Sequence, residues 1–249
     1  MGKYLFVHLN GLLVDISSAY ERIVKLEWMS LRQSNSRFDI SFEDFEKLEK
    51  RIRPLIVGDG NGFWIKFWKH VLIELGVHPV PSVIDGLLEK FRTFFVNSSE
   101  LYPDVKEFLN LARSNDFKVV LVESGSKELV DRTLNKFGLK DFFHRVILVP
   151  DFSRNRKEFF DFALDDLQTG KDNVLVLCSR ADKDFALLSE LGFGCVLVTR
   201  KFYERANRKL PEVFARNLLQ VFDSISSPEI VEKPLTNDFY SSVIDELNS

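Results

Sequence analysis

Four polar stretches in this sequence follow directly on short apolar runs. His8 and Asn10 follow "YLFV", Glu123 and Ser124 follow "KVVLV", Asp151 to Lys157 follow "VILV", and Ser179 to Asp184 follow "NVLVLC". In open α/β sheets, ligands bind beyond the carboxyl ends of the strands, so these are the residues placed to do chemistry. Their types allow several roles. His8 could accept a phosphoryl group as a nucleophile, with Glu123 orienting it. Arg154, Lys157 and Arg180 could hold an anion. His8 with Asp182 and Asp184 suggests a transition-metal set, although Arg180 beside them opposes a cation. The first stretch, "KYLFVHLNGLLVD", raises the sharpest question: it has the shape of a catalytic strand end, yet carries no acid at its tip.

The elements that must position these residues are legible in outline. The chain has 249 residues, 45% hydrophobic and 29% charged, enough for a sizeable core and one or two domains. Its formal charge of −3 gives no global basic field for nucleic acid or an anionic membrane. No stretch approaches the ~20 apolar residues of a membrane span, and the first residues lack a signal-peptide pattern. Cys178 and Cys195 lie in apolar surroundings and read as reduced core thiols, which points to a cytoplasmic protein.

The runs at 118–122, 146–149, 173–178 and 195–198 are short, β-branched and nearly continuous, as buried parallel strands are. Helical patterns separate them, and residues 4–8 supply a further strand. Alternating strands and helices predict an α/β fold with a Rossmann-like, doubly wound parallel sheet. Counting residues 4–8 as strand 1, the expected order is 3-2-1-4-5. Residues 16–96 show helical periodicity and no strand, so an all-helical cap interrupts the sheet after its first strand. The expected organisation is a core of residues 1–15 and 97–225, a cap of 16–96, and a tail of 226–249. The tail has Phe239, Val243 and Leu247 on one face of a short amphipathic helix. Phe63, Trp64, Phe67 and Trp68 are expected to pack the cap's own core, with "VGDGNG" (57–62) as the loop entering their helix.

The order, spacing and insertion resemble the haloacid dehalogenase (HAD) superfamily in its helical-cap branch. "FVHLNGLLVD" resembles that family's "FDxDGTLxD", and the segment 101–139 resembles its second region. "RNRKEFFDFALDDL" resembles the third. "NVLVLCSRADKDFALLSELGFGCVLV" resembles the fourth, where Asp184 and Gly192 keep the expected spacing. The resemblance covers residues 3–222. It implies an aspartyl nucleophile, an aspartate general acid, a Thr or Ser and a Lys that hold the phosphoryl group, and Mg²⁺.

The sequence departs from each of these. His8 replaces the nucleophile, Asn10 the acid, and Leu12 the following Thr. Glu123 aligns with the phosphoryl-binding Thr or Ser, with Ser124 one residue away. Arg154 aligns with the lysine, with Lys157 close by. Arg180, or Ser179, aligns with the first metal-binding acid, while Asp184 stays. Asn10 cannot exchange a proton near neutral pH, and His8 with Asn10 is a poor donor set for Mg²⁺.

The expectation is therefore a catalytically inactive HAD-like protein, with no catalytic residues and no Mg²⁺. It would act as a binding or scaffold subunit whose protein partner engages residues 226–249. In this reading His8 fills the old pocket, and Glu123 pairs with Arg154 or Arg180. A phosphatase-type hydrolase with unconventional residues is one alternative. A phosphate or nucleic-acid binder is another, using Arg154, Lys157, Arg180 and "RKFYERANRK" (200–209), although interleaved acids favour a solvated mixed surface there.

Overall fold

The computed structural model describes residues 4–15, 17–34, 39–56, 60–124, 126–149, 156–179, 186–198 and 214–222. Strand β1 (Tyr4–Val7) lies at the centre of the main sheet, and β2 (Val14–Asp15) follows it. Helices α1 (Ser17–Ser34), α2 (Phe42–Ile52), α3 (Gly60–Glu74) and α4 (Pro81–Ser98) come next, then β3 (Glu100–Leu101) and α5 (Val105–Ser114). The remaining elements are β4 (Lys118–Ser124), α6 (Lys127–Phe137), β5 (Arg145–Val149), α7 (Arg156–Leu167), β6 (Val174–Cys178), α8 (Ala186–Glu190), β7 (Gly194–Val198) and β8 (Phe214–Ala215).

The main sheet is parallel throughout, in the order β5-β4-β1-β6-β7-β8. Its first five strands reproduce the expected 3-2-1-4-5 order. The sixth, β8, was not expected: it pairs Leu197 with Phe214 and Val198 with Ala215, too short a run to show in the sequence. Alternate residues of each strand bury on opposite faces. Leu5, Val7, Val119 and Leu121 pack against α5 and α6 through Phe108, Leu109, Val130 and Leu134. Phe6, Val120, Val122 and Val176 pack against α7 and α8 through Phe159, Phe160 and Leu188. Helices therefore cover both faces, as a doubly wound sheet requires.

Among the described residues, the segment between β2 and β3 is all helical. Helix α2 shows why it forms. Ser41 accepts a hydrogen bond from the Asp44 N–H (3.1 Å), acids occupy its first turn and Lys50 and Arg51 its last. Phe45, Leu48 and Ile52 then fall on one buried face. Phe67 and Trp68 are fully buried in the same cluster, with Phe63 and Trp64 packed against it, so these aromatics build the cap core as expected. One detail differs: Gly60, Asn61 and Gly62 already belong to α3 rather than to a loop.

A second, two-stranded sheet stands where the chain leaves and re-enters the core. β2 and β3 pair antiparallel, Val14 with Leu101 and Asp15 with Glu100. The two crossings between core and cap are thereby tied together. The segment 214–222 is anchored by the Leu218 N–H, which donates to Asp104 (2.7 Å), and by Phe222 against Phe108 and Phe117.

Candidate functional site

Because the main sheet is parallel, the ends of β1, β4, β5 and β6 share one edge. The turn after β1 is tight. Val14 N–H and Leu13 N–H both donate to the Leu9 carbonyl (2.8 and 3.1 Å), and Gly11 N–H donates to the Val14 carbonyl (2.9 Å). Gly11 holds φ +79°, a conformation that disfavours a side chain. The Ser179 Oγ lies 3.3 Å from where a Cβ on Gly11 would stand, so Ser179 overhangs this turn. Leu12 is fully buried in the apolar core and offers no polar atom to the edge.

His8 is 9% exposed. Its Nδ1–H donates to the Val122 carbonyl (2.7 Å), and its ring packs on Phe159 and Phe160, with centroids 5.9 and 6.0 Å away. That bond fixes the proton on Nδ1 and leaves Nε2 as a lone pair when the ring is neutral. Nε2 is buried without a hydrogen-bond partner among the described residues, and so is Asn10 Oδ1.

Glu123 is 7% exposed. Its Oε1 accepts from the Leu9 N–H (2.5 Å) and the Asn10 N–H (3.2 Å). A buried carboxylate needs such donors, and two backbone amides of the β1 turn supply them. No side-chain pattern announces this contact, because every residue in the turn carries the same N–H. The signal in the sequence is the carboxylate itself, at the end of a strand otherwise wholly apolar.

Ser124 is half-buried and lies opposite Val149 in the β4–β5 ladder. Lys157 is exposed in the first turn of α7. Arg154, Arg180, Asp182 and Asp184 lie outside the described residues, as do 200–209 and 226–249, so the expected Glu123–arginine pair falls there too. Gly192 is placed by its φ of +79° at the turn from α8 into β7, where its N–H donates to the Ser189 carbonyl (2.9 Å). Among the described residues, no group of three His, Cys, Asp or Glu could hold a metal ion.

One strongly perturbed carboxyl lies away from this edge, in the cap. Glu27 and Glu49 are each 2% exposed. Burial pushes the Glu27 carboxyl well above 4.5; the adjacent Glu49 adds to the rise and Arg53 opposes it. Arg53 donates to Glu49 through Nε (2.8 Å) and Nη2, and lies over the rings of Phe63, Trp64 and Phe67.

Residues 67–178 match the family model of the haloacid dehalogenase-like hydrolases. This stretch includes Glu123 and Ser124, but not the β1 turn or the residues after Cys178. No curated protein sequence matches. Among solved structures, a HAD phosphatase from Thermococcus onnurineus aligns at TM-score 0.63 and 16% identity, covering 91% of this chain and 98% of its own. L-2-haloacid dehalogenase from Xanthobacter autotrophicus, with chloropropionic acid covalently bound, aligns at 0.61 and 15%, covering 92% and 100%. CbbY from Rhodobacter sphaeroides, in complex with phosphate, aligns at 0.61 and 13%, covering 89% and 96%. At these identities the structures establish a shared fold. The sequence match to the haloacid dehalogenase-like hydrolases extends over 67–178, and the fold likeness over nearly the whole chain.

Proposed function

We propose that this chain uses a HAD-like hydrolase fold for binding rather than for hydrolysis. One observation carries the reading: the Glu123 carboxylate accepts the Leu9 and Asn10 N–H groups. Amides at the end of the central strand are natural donors for an incoming oxyanion. Here an anion of the protein's own already holds them. A phosphoryl group would have to displace a buried carboxylate and would then sit beside its charge. The donor set of His8 and Asn10 does not fit Mg²⁺, which takes hard anionic oxygens in octahedral geometry. The nucleophile and general acid of the family are replaced by residues that cannot perform those steps in the same way.

In this reading the ligand is a protein, engaged through residues 226–249, and the chain works in the cytoplasm without a cofactor. No helix among the described residues is long and apolar enough to cross a membrane. A nucleic-acid or phosphate ligand held by Arg154, Lys157 and Arg180 is the lesser alternative, and salt-sensitive RNA binding would reveal it.

A phosphatase-type reaction is the second reading. The family match and the named activities of the structural neighbours favour it, as does the bare His8 Nε2, a lone pair suited to phosphoryl acceptance. The two readings separate in one assay: purified protein against a panel of phosphomonoesters with Mg²⁺, Mn²⁺ or Co²⁺. The binding reading expects turnover at background. Turnover well above it that disappears in His8→Ala overturns that reading and establishes the second.

A further inference from the structure

One face of α6, a core helix, is committed to the cap. Glu128, Leu129, Arg132 and Lys136 all contact cap groups on or near α4. Arg132 Nη1 donates to Glu89 (2.7 Å), and Arg92 Nη1 donates to Glu128 (3.1 Å). Arg132 Nη2 also donates to Glu128 (2.6 Å), and Arg92 lies 3.6 Å from Glu89. Two arginines and two glutamates therefore close a ring, with one of each on either helix. Leu129 packs beside them against Ile23, Phe91 and Phe95 of the cap.

Two turns further along α6, Lys136 Nζ donates to three carbonyls: Val96 (2.6 Å), Asn97 (3.2 Å) and Ser99 (2.7 Å). These belong to the last turn of α4 and the residue that caps it. The terminal carbonyls of a helix have no partners within it, and a cation placed there also favours the helix dipole. α4 ends without a left-handed glycine, its cap Ser99 being extended, so the lysine of a core helix does that work. Ser99 directly precedes β3, the crossing from cap to core.

From this seam we infer that α6 is a latch, which holds the cap to the core as one body and prevents it from swinging about the paired crossings at β2 and β3. Swinging the cap would break the charge ring, expose Leu129 and strip Lys136 of its carbonyls together. Exposed ion pairs are individually weak, but a closed ring joined to an apolar contact and a triply bonded lysine is a cooperative unit. α6 begins three residues after the end of β4's Ser124, so the latch joins the cap to the strand–helix unit that supplies Glu123. The latch restrains the cap whether or not the chain hydrolyses anything.

Distance measurement by double electron–electron resonance tests it on the full chain, with nitroxides on Lys69→Cys in the cap and Lys106→Cys in the core. Protein without the added cysteines, treated with the same reagent, corrects for labelling at Cys178 and Cys195. The expected result is a single narrow distance distribution, unchanged by Mg²⁺ or inorganic phosphate. In Glu128→Ala/Arg132→Ala/Lys136→Met the distribution broadens or gains a second, separate peak. Lys136→Met alone serves if the triple variant does not fold, and should broaden the distribution less. Broad or bimodal distances in the unsubstituted seam overturn the latch without any variant. Distributions in the folded variants as narrow as the parent's overturn it as well.

Discussion

The carboxylate of Glu123 and the backbone N–H of Leu9 meet at 2.5 Å, from positions 114 residues apart in the chain. The contact joins the end of β4 to the turn after β1, across the centre of the parallel edge. A neutral acceptor at the same place would serve the amides less well, since hydrogen bonds to a charged group are roughly twice as strong as neutral ones. Stability should therefore fall in the order Glu123, Glu123→Gln, Glu123→Ala. The alanine variant leaves two buried amides unpaired and should lose about 2 kcal/mol. Urea unfolding followed by circular dichroism measures the series; an alanine variant as stable as the parent would show that the carboxylate does not hold this turn.

Restoring acids at the tip of β1 should not restore a hydrolase. His8→Asp with Asn10→Asp returns the side chains of the family pattern, but Glu123 still holds the Leu9 and Asn10 amides. It also adds two carboxylates beside a third, and like charges at one site oppose each other's ionisation. Members of a catalytic unit act together, so replacing some of them recovers little. The double variant should hydrolyse phosphomonoesters with Mg²⁺ no faster than the parent. A gain of a hundredfold would mean that the amides remain available to a phosphoryl group.

The backbone of the same turn gives a third test. Gly11 holds φ +79°, where a Cβ is disfavoured, and that Cβ would also press on Ser179 Oγ at 3.3 Å. Gly11→Ala should cost about 1–2 kcal/mol from the left-handed backbone alone. Gly138→Ala, at the left-handed end of α6 (φ +64°) with nothing within 4 Å of the new Cβ, isolates that backbone term. Thermal unfolding of both variants should show Gly11→Ala as the more destabilised; equal losses would mean that Ser179 yields freely.

The sheet was readable because its strands are dense, β-branched runs that only a doubly covered sheet can bury. The cap was readable because a long helical pattern stands between the first strand and the rest. β2, β3 and β8 were not, since two residues carry no periodicity. At the edge, Glu123 announced itself as a buried carboxylate in need of partners, and two of its donors are backbone amides, which leave no mark in a sequence. His8 was legible as a polar residue at the end of the first strand; its bond to the Val122 carbonyl, which sets its tautomer, depends on the β1–β4 pairing that only the fold supplies. Glu27 gave no warning either: as one acid in a mixed helix it reads as surface, and only the packing of α1 against its neighbours buries it.

That burial makes the cap's stability depend on pH. The Glu27 carboxyl is held well above 4.5 by desolvation and by Glu49, so over the interval above 4.5 the folded chain keeps a proton that the unfolded chain has released. With more protons bound in the folded state, stability falls as pH rises. The stability present at and below 4.5 is lost progressively up to the raised value, and the loss is complete above it. Glu27→Gln keeps the shape and the neutral form at every pH, so it should remove this slope. Its melting temperature should exceed the parent's at pH 8, by about 2–4 °C for each kcal/mol recovered in a chain of this size. At pH 4.5 the two should melt nearly together. Circular dichroism melts from pH 4.5 to 8 on both proteins, read as their difference, cancel the titration of all other groups. A difference that is flat with pH, or that favours the glutamate at pH 8, would show that Glu27 is ionised in the folded cap and stabilised there by Arg53.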